Sequence, residues 1–228
     1  MAGRALVDEV GRLSPDSPPE VRALYKGVAK LLDRPDTSPA GKGRKVGDCT
    51  RGVYLFIDYD NEPIYVGQTT EKLRIRIRRH LTNQRTDAVA MRVLDPFEVA
   101  EIEMWPFWDL EGKEVGDILN KAEFTVYERA LEASLFSAVL NEGEIKNTAL
   151  LKLPPSVRGS ILAKSARQSR EHPDLRLARR ARTIADLARV ISERRVGIGI
   201  RRTLLVQSQR LEHLARTRLE ELEGPPDV

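Results

Sequence analysis

The fold of this chain is decided by two apolar runs, Gly52-Val53-Tyr54-Leu55-Phe56-Ile57 and Ile64-Tyr65-Val66-Gly67. Both runs are rich in β-branched and aromatic residues, so each predicts a buried strand. The polar segment between them, residues 58–63, is typical of a turn. Together they predict a β-hairpin that brings Tyr54 and Tyr65 close to each other.

A helix is predicted directly after the hairpin, over residues 71–81. Its positions Leu73, Ile77 and Leu81 recur every fourth residue and form one apolar face. Arg76 and His80 are also four residues apart, so they share another face of the helix. We therefore expect two phenols, a guanidinium and an imidazole to converge at one edge of a small sheet.

The pattern of the rest of the chain predicts an α+β fold in which helices and a sheet are layered as an α/β sandwich. A third strand is expected over 97–105 and a long amphipathic helix over 118–140. The sheet is expected to be small, three-stranded and mostly antiparallel, with helices flanking it. We predict three regions: an N-terminal helical extension and linker (1–48), a core (49–150) and a basic C-terminal region (151–228) that is wholly helical from about residue 155.

Composition limits the class of protein. The chain has 228 residues with a normal share of charged and hydrophobic residues, and its one cysteine, Cys49, cannot form a disulfide within the chain. No apolar run is long enough to span a membrane, and acidic residues follow Met1 too early for a signal peptide. These features predict a cytoplasmic protein.

Positive charge is concentrated in two segments. Residues 158–218 hold 16 Lys and Arg against 5 Asp and Glu, and residues 72–85 hold six Lys and Arg and no acid. Segregated basic surface suits a polyphosphate ligand, which predicts nucleic-acid binding. The residues expected to contact DNA are Lys72, Arg74, Arg78, Arg79, Arg179, Arg180, Arg182, Arg201 and Arg202.

The two tyrosine triplets and the helix after them resemble the GIY-YIG endonuclease family. The first motif reads Gly52-Val53-Tyr54 and the second reads Tyr65-Val66-Gly67, and Arg76 and His80 follow on the helix. The resemblance covers about residues 50–148. It implies that Tyr54, Tyr65, Arg76 and His80 form a nuclease active site.

The same resemblance implies a catalytic glutamate on the long helix and an asparagine after it. Glu132 is preferred to Glu128, because an apolar pair follows it three and four positions later. The asparagine is expected about twelve residues beyond the glutamate, which Asn141 and Asn147 bracket. Asn147 is favoured.

The resemblance also implies a divalent metal, Mg²⁺ or Mn²⁺, one ion per site, held by Glu132. In this interpretation Arg76 binds the scissile phosphate, Tyr65 orients the water or the phosphate, and Tyr54 accepts a proton from water, directly or through His80. A phenol needs nearby cations for that role, because its ordinary pKa is about 10.

A metal-dependent DNA endonuclease is therefore the predicted function, and a type II restriction-like enzyme is the preferred subtype. The alternatives are a repair- or structure-specific nuclease and a non-catalytic nucleic-acid-binding protein on the same fold. The partner is expected to be double-stranded DNA, with no membrane. A leucine-bearing last helix predicts a homodimer on DNA, and a chain ending near Pro155 is expected to fold.

Overall fold

The computed structural model describes residues 17–82, 93–141 and 143–224. Its centre is an antiparallel sheet of four strands in the order β2-β1-β3-β4. The strands are β1 (Gly52–Ile57), β2 (Pro63–Thr69), β3 (Glu101–Pro106) and β4 (Val157–Ser160). The α+β fold and the hairpin are thus confirmed, but the sheet has one strand more than predicted. The fourth strand is four residues long and carries too little alternation to be read from the sequence.

Six α-helices surround this sheet in the part of the chain that the structure describes. They are α1 (Pro19–Leu32), α2 (Leu73–Thr82), α3 (Val115–Ala133), α4 (Lys164–Arg170), α5 (Pro173–Glu193) and α6 (Ile198–Glu223). Because β4 lies between α3 and α4, the expectation of a wholly helical C-terminal third is wrong.

Two predicted elements end or begin elsewhere, each for a local reason. The third strand starts only at Glu101, since Pro96–Glu98 forms a 3-10 turn in which the Asp95 carboxylate accepts the Phe97 N–H at 2.8 Å. Helix α3 ends at Ala133 rather than near residue 140, because the buried carboxylate of Glu62 accepts from the Ser134 hydroxyl and from the Leu135 N–H. These bonds replace the helical bonds that a longer helix would make.

The central strand β1 is buried on both faces, which explains its unbroken apolar run. Tyr54 and Phe56 face one core cluster, which includes apolar residues of α1 and α2. Val53 and Leu55 face a second cluster, to which α3 contributes. The active-site candidates on β1 and α2 therefore lie on the same side of the sheet.

The predicted regions 1–48 and 151–228 both contribute to this body. Helix α1 approaches the chain after β4 so closely that a side chain at Gly27 would collide with the Ile161 carbonyl. Strand β4 pairs with β3 through Glu101 to Met104. The sheet and its covering helices thus include residues from all three predicted regions.

A buried ionic network joins the C-terminal helices to the hairpin turn. Asp58, at the end of β1, accepts from Arg180 of α5 at 2.9 Å and from Arg210 of α6 at 2.8 Å. Arg176 of α5 bonds Asp60 at 2.5 Å and Glu98 at 3.3 Å. The side chains of Asp58 and Arg210 are 1% and 2% exposed, so these charges compensate each other away from water.

Candidate active site

The Tyr54 side chain extends from the central strand β1 beneath the edge strand β2, because its neighbour on β2 has no side chain. In the β1–β2 register Tyr54 is opposite Gly67. A Cβ on Gly67 would stand 2.5 Å from the Tyr54 hydroxyl oxygen. Glycine at this position therefore allows the phenol to pass under β2 toward the edge of the sheet.

An aromatic cluster surrounds that phenol. The rings of Tyr54 and Tyr65 are 6.4 Å apart between centroids. The His80 ring of α2 lies 6.0 Å from Tyr54 and 5.2 Å from Tyr65. The hairpin and α2 thus bring together the two tyrosines and the histidine that the sequence pattern predicted.

Arg76 completes this group, one turn before His80 on α2. Burial lowers the pKa of the Arg76 guanidinium, but its interactions with the Tyr54 and Tyr65 hydroxyls outweigh burial, so that its pKa is raised overall. The Tyr54 hydroxyl, the Arg76 Nε and the His80 Nε2 are buried without a well-formed hydrogen bond to any described residue. Buried polar atoms of this kind are uncommon, and a cluster of three is typical of a site that receives a ligand.

The electrostatics assign different protonation states to these groups. Burial raises the pKa of Tyr54 far above its ordinary value, and the nearby Arg76 offsets only part of that effect. Burial, Arg76 and Arg79 together lower the pKa of His80 to about 4. At neutral pH the site therefore holds a neutral phenol and a neutral imidazole beside a guanidinium.

The carboxylate of this group comes from Glu123 on α3. Burial raises the pKa of Glu123, while a hydrogen bond from the Gln68 side chain and the charge of Arg76 act against the increase. Glu123 also acts electrostatically on Tyr54. Tyr54, Tyr65, Arg76, His80 and Glu123 are therefore the groups that the structure brings together.

Glu132 occupies a different position on the same helix. It is exposed and lies nine residues beyond Glu123, or roughly 13 Å along the helix axis. At 3.6 residues per turn, Glu128 and Glu132 point away from the buried face formed by Leu119, Ala122 and Val126, whereas Glu123 borders it. Phe124 and Thr125 are buried as well, so the period of α3 alone does not single out Glu123; its contact with Gln68 of β2 distinguishes it in the structure.

Of the two candidate asparagines, one is hydrogen-bonded to the sheet and the other is exposed. Asn141 donates to the Val66 carbonyl at 2.7 Å and accepts the Val66 N–H at 3.1 Å. Its side chain thus extends the sheet along the outer edge of β2, one residue from Tyr65. Asn147 is exposed, and the described part of the chain shows no contact between it and the site.

The residues predicted to bind DNA fall into two groups. Lys72, Arg182 and Arg201 are exposed, as is Arg202, which pairs with Glu144 at the surface. The others interact within the fold. Arg74 binds Asp33 and Asp48, Arg78 lies over the Tyr25 ring, Arg79 binds Glu71, and Arg179 and Arg180 bind Glu98. Arg180 is buried in the ionic network, so much of the C-terminal positive charge is neutralised internally.

The donors present fit a hydrated hard cation. No cluster of three or more His, Cys, Asp or Glu that could hold a metal is found among residues 17–82, 93–141 and 143–224. Glu123 is a single carboxylate at the sheet edge, and Gln68 binds its Oε2 atom at 2.9 Å. Mg²⁺ retains several waters and can be held by one carboxylate and a substrate phosphate, so this donor set suits Mg²⁺ or Mn²⁺.

No helix in the described ranges is long and apolar enough to cross a membrane.

No curated protein and no solved structure matches the chain. One protein-family model does match, that of the GIY-YIG catalytic domain, over residues 50–110. Those residues contain both tyrosines, Arg76 and His80, whereas Glu123 lies beyond them. The segment that builds most of the site is therefore similar to the GIY-YIG catalytic domain, and this similarity supports the nuclease family.

Proposed function

We propose that this protein is a metal-dependent endonuclease that hydrolyses phosphodiester bonds in double-stranded DNA. The observation that carries the proposal is the group of Tyr54, Tyr65, Arg76, His80 and Glu123 at one sheet edge. Three buried polar atoms in this group make no hydrogen bond of good geometry to the described residues. A phosphate at this edge would provide acceptors for the guanidinium and the phenol.

Each side chain has a role that its environment supports. Arg76 binds the scissile phosphate and stabilises the charge that develops on it. Tyr54, a neutral phenol, donates a hydrogen bond to the phosphate or to the attacking water. Glu123 would hold Mg²⁺ or Mn²⁺, which would supply charge neutralisation at the phosphate and the leaving oxygen.

Proton transfer is best assigned to His80. Its imidazole is neutral at neutral pH, and its buried Nε2 has no partner in the described residues. A bound phosphate would offset the charge of Arg76 that helps to lower the His80 pKa. Its basicity would then rise when substrate is present. Tyr54 would accept a proton from water only as part of a relay that ends at His80.

Substitution of the three glutamates of α3 tests the proposal. Glu123→Gln should abolish cleavage of plasmid DNA in Mg²⁺ and leave binding of duplex DNA largely intact. Glu128→Gln and Glu132→Gln are matched controls, because they make the same change on the same helix. Loss of activity in Glu132→Gln with retention in Glu123→Gln would restore the assignment predicted from the sequence. If the unsubstituted protein binds DNA without cutting it in Mg²⁺ or Mn²⁺, the chain is a binding protein on a nuclease fold.

The restriction-like subtype is a finer proposal, which rests on the helices that flank the core and not on the motifs. Plasmids of known sequence should give discrete fragments if the enzyme reads a short site. A smear would favour a repair- or structure-specific nuclease. Cleavage of both strands at a palindrome would suit a homodimer, and a cytoplasmic location is expected for either subtype.

A further inference from the structure

The residue that follows the second tyrosine motif makes a forked contact with α3. The side-chain nitrogen of Gln68 donates to the Asn120 Oδ1 atom at 2.7 Å and to the Glu123 Oε2 atom at 2.9 Å. Because a primary amide has two N–H groups, both donors are used. Asn120 and Glu123 are three residues apart, so they form adjacent positions on one face of the helix.

The backbone fixes where Gln68 can act. In β2, Gly67 is opposite Tyr54 and Gln68 is opposite Val53. Successive strand residues point to opposite faces, so Gly67 lies over the phenol while the Gln68 side chain points toward α3. One dipeptide thus connects the two halves of the site, the tyrosines on one face and the carboxylate on the other.

We infer that Gln68 is a positioning residue that holds the Glu123 carboxylate in its metal-binding orientation; this inference rests on the proposed function. A glutamate side chain has three rotatable bonds, and here a donor on a rigid strand fixes one of its oxygens. The Gln68 amide engages the Oε2 atom of Glu123 at 2.9 Å. Donors behind a metal ligand set its orientation and its basicity, and Gln68 stands in that relation to Glu123.

Gln68→Met tests the inference, because it keeps the length of the side chain and removes the donor. In the full-length protein we expect Mn²⁺ affinity, measured by electron paramagnetic resonance without DNA, to fall roughly 10- to 100-fold. We expect kcat for DNA cleavage to fall with KM for DNA nearly unchanged. The midpoint of thermal unfolding should stay close to that of the unsubstituted chain. Asp117→Asn is the control, since Asp117 is exposed on α3 and pairs with Lys121.

A double substitution separates the failure of this inference from that of the proposed function. Gln68→Met added to Glu123→Gln should weaken Mn²⁺ binding no further than Glu123→Gln alone, because both act on one carboxylate. If Glu123→Gln removes Mn²⁺ binding while Gln68→Met binds Mn²⁺ and cuts DNA normally, only the role of Gln68 is wrong. If Glu123→Gln itself binds Mn²⁺ and cuts normally, the assignment of the carboxylate is wrong and the role of Gln68 is refuted with it.

Discussion

Tyr54 is a polar residue held in a core position, and the atoms around it decide what it can do. Its ring is buried in the apolar cluster, and its hydroxyl has no hydrogen bond of good geometry among the described residues. Desolvation of a phenol favours the neutral form, and one guanidinium does not reverse that preference. Under the proposed function, Tyr54 is therefore a hydrogen-bond donor and the neutral imidazole of His80 is the base.

Gly67→Ala should displace the Tyr54 phenol. The new methyl group would stand 2.5 Å from its hydroxyl oxygen, and overpacking of this kind costs about 1–3 kcal/mol. We expect cleavage to be lost while DNA is still bound. Gly116→Ala on α3 is the matched control, because nothing lies within 4 Å of a Cβ there, and we expect it to leave cleavage and stability close to those of the unsubstituted chain. Urea unfolding and plasmid cleavage measure both effects.

His80 should make folding stability depend on pH. Its pKa is about 4 in the folded protein against an ordinary value of 6.5. The unfolded chain therefore binds the proton more readily, and stability is lost as the pH falls from 6.5 to 4. The shift corresponds to a loss on the order of 3 kcal/mol. Urea unfolding at several pH values should show this slope, and His80→Gln should flatten it. An unchanged slope in His80→Gln would contradict the buried neutral imidazole.

At the scale of elements, the hairpin and α2 can be predicted from the local sequence. The long-range contacts that hold them in place cannot. Uninterrupted apolar runs and a four-residue period are sufficient to predict β1, β2 and α2. The ionic network joins Asp58 to Arg180 and Arg210, residues more than 100 positions away, so no local pattern could indicate it. A dense run of arginines predicts basic surface, yet the helices turn several of these residues toward buried carboxylates.

The choice of glutamate shows a different limit. Spacing to an apolar pair favoured Glu132, whereas in the structure Glu123 contacts β2 through Gln68. The position of Gln68 opposite α3 required the strand register, which the sequence gives only after the hairpin is known.

Asp58→Asn tests whether the network holds α5 and α6 against the hairpin. The change leaves the buried guanidiniums of Arg180 and Arg210 without their shared anion, and breaking a buried ion pair costs about 3–5 kcal/mol. Asp186→Asn is the matched control, because Asp186 lies on α5 outside the network. It pairs with Arg189, and the two side chains are 46% and 49% exposed, so we expect its loss to cost about 1 kcal/mol or less. Denaturant midpoints compare the two, and equal midpoints would contradict a structural role for Asp58.

At the scale of the whole molecule, the sheet depends on residues that follow β3 in the chain. Strand β4 covers one edge of β3, and the Leu140 N–H binds the Ile64 carbonyl at 2.8 Å along the free edge of β2. The buried residues of helix α6 extend from Ile200 to Leu214, and beyond them Leu219 and Leu222 are 54% and 67% accessible. The last turns of α6 therefore contribute no buried residue, unlike the turns before them.

Two truncated chains separate the contribution of β4 and the ionic network from that of the last turns of α6. A chain ending at Pro155 lacks β4 and the arginines that compensate Asp58, so it would leave a buried carboxylate unpaired and the edge of β3 open. Contrary to the expectation from the sequence, we predict that this chain does not fold cooperatively. A chain ending at Leu214 retains Arg210 and the whole network, and loses the Arg218–Asp174 ion pair, which is exposed on the Asp174 side. We predict that it folds and cuts DNA.

Circular dichroism during thermal unfolding tests folding, and sedimentation with and without duplex DNA tests assembly. If Leu219 and Leu222 form the proposed dimer contact, the full-length chain should sediment as a dimer on DNA. The chain ending at Leu214 should then be monomeric and should nick a plasmid rather than cut both strands at once. A cooperative transition in the chain ending at Pro155 would show that residues 156–228 are dispensable for the fold. A dimer that persists without residues 215–228 would assign the contact to another surface.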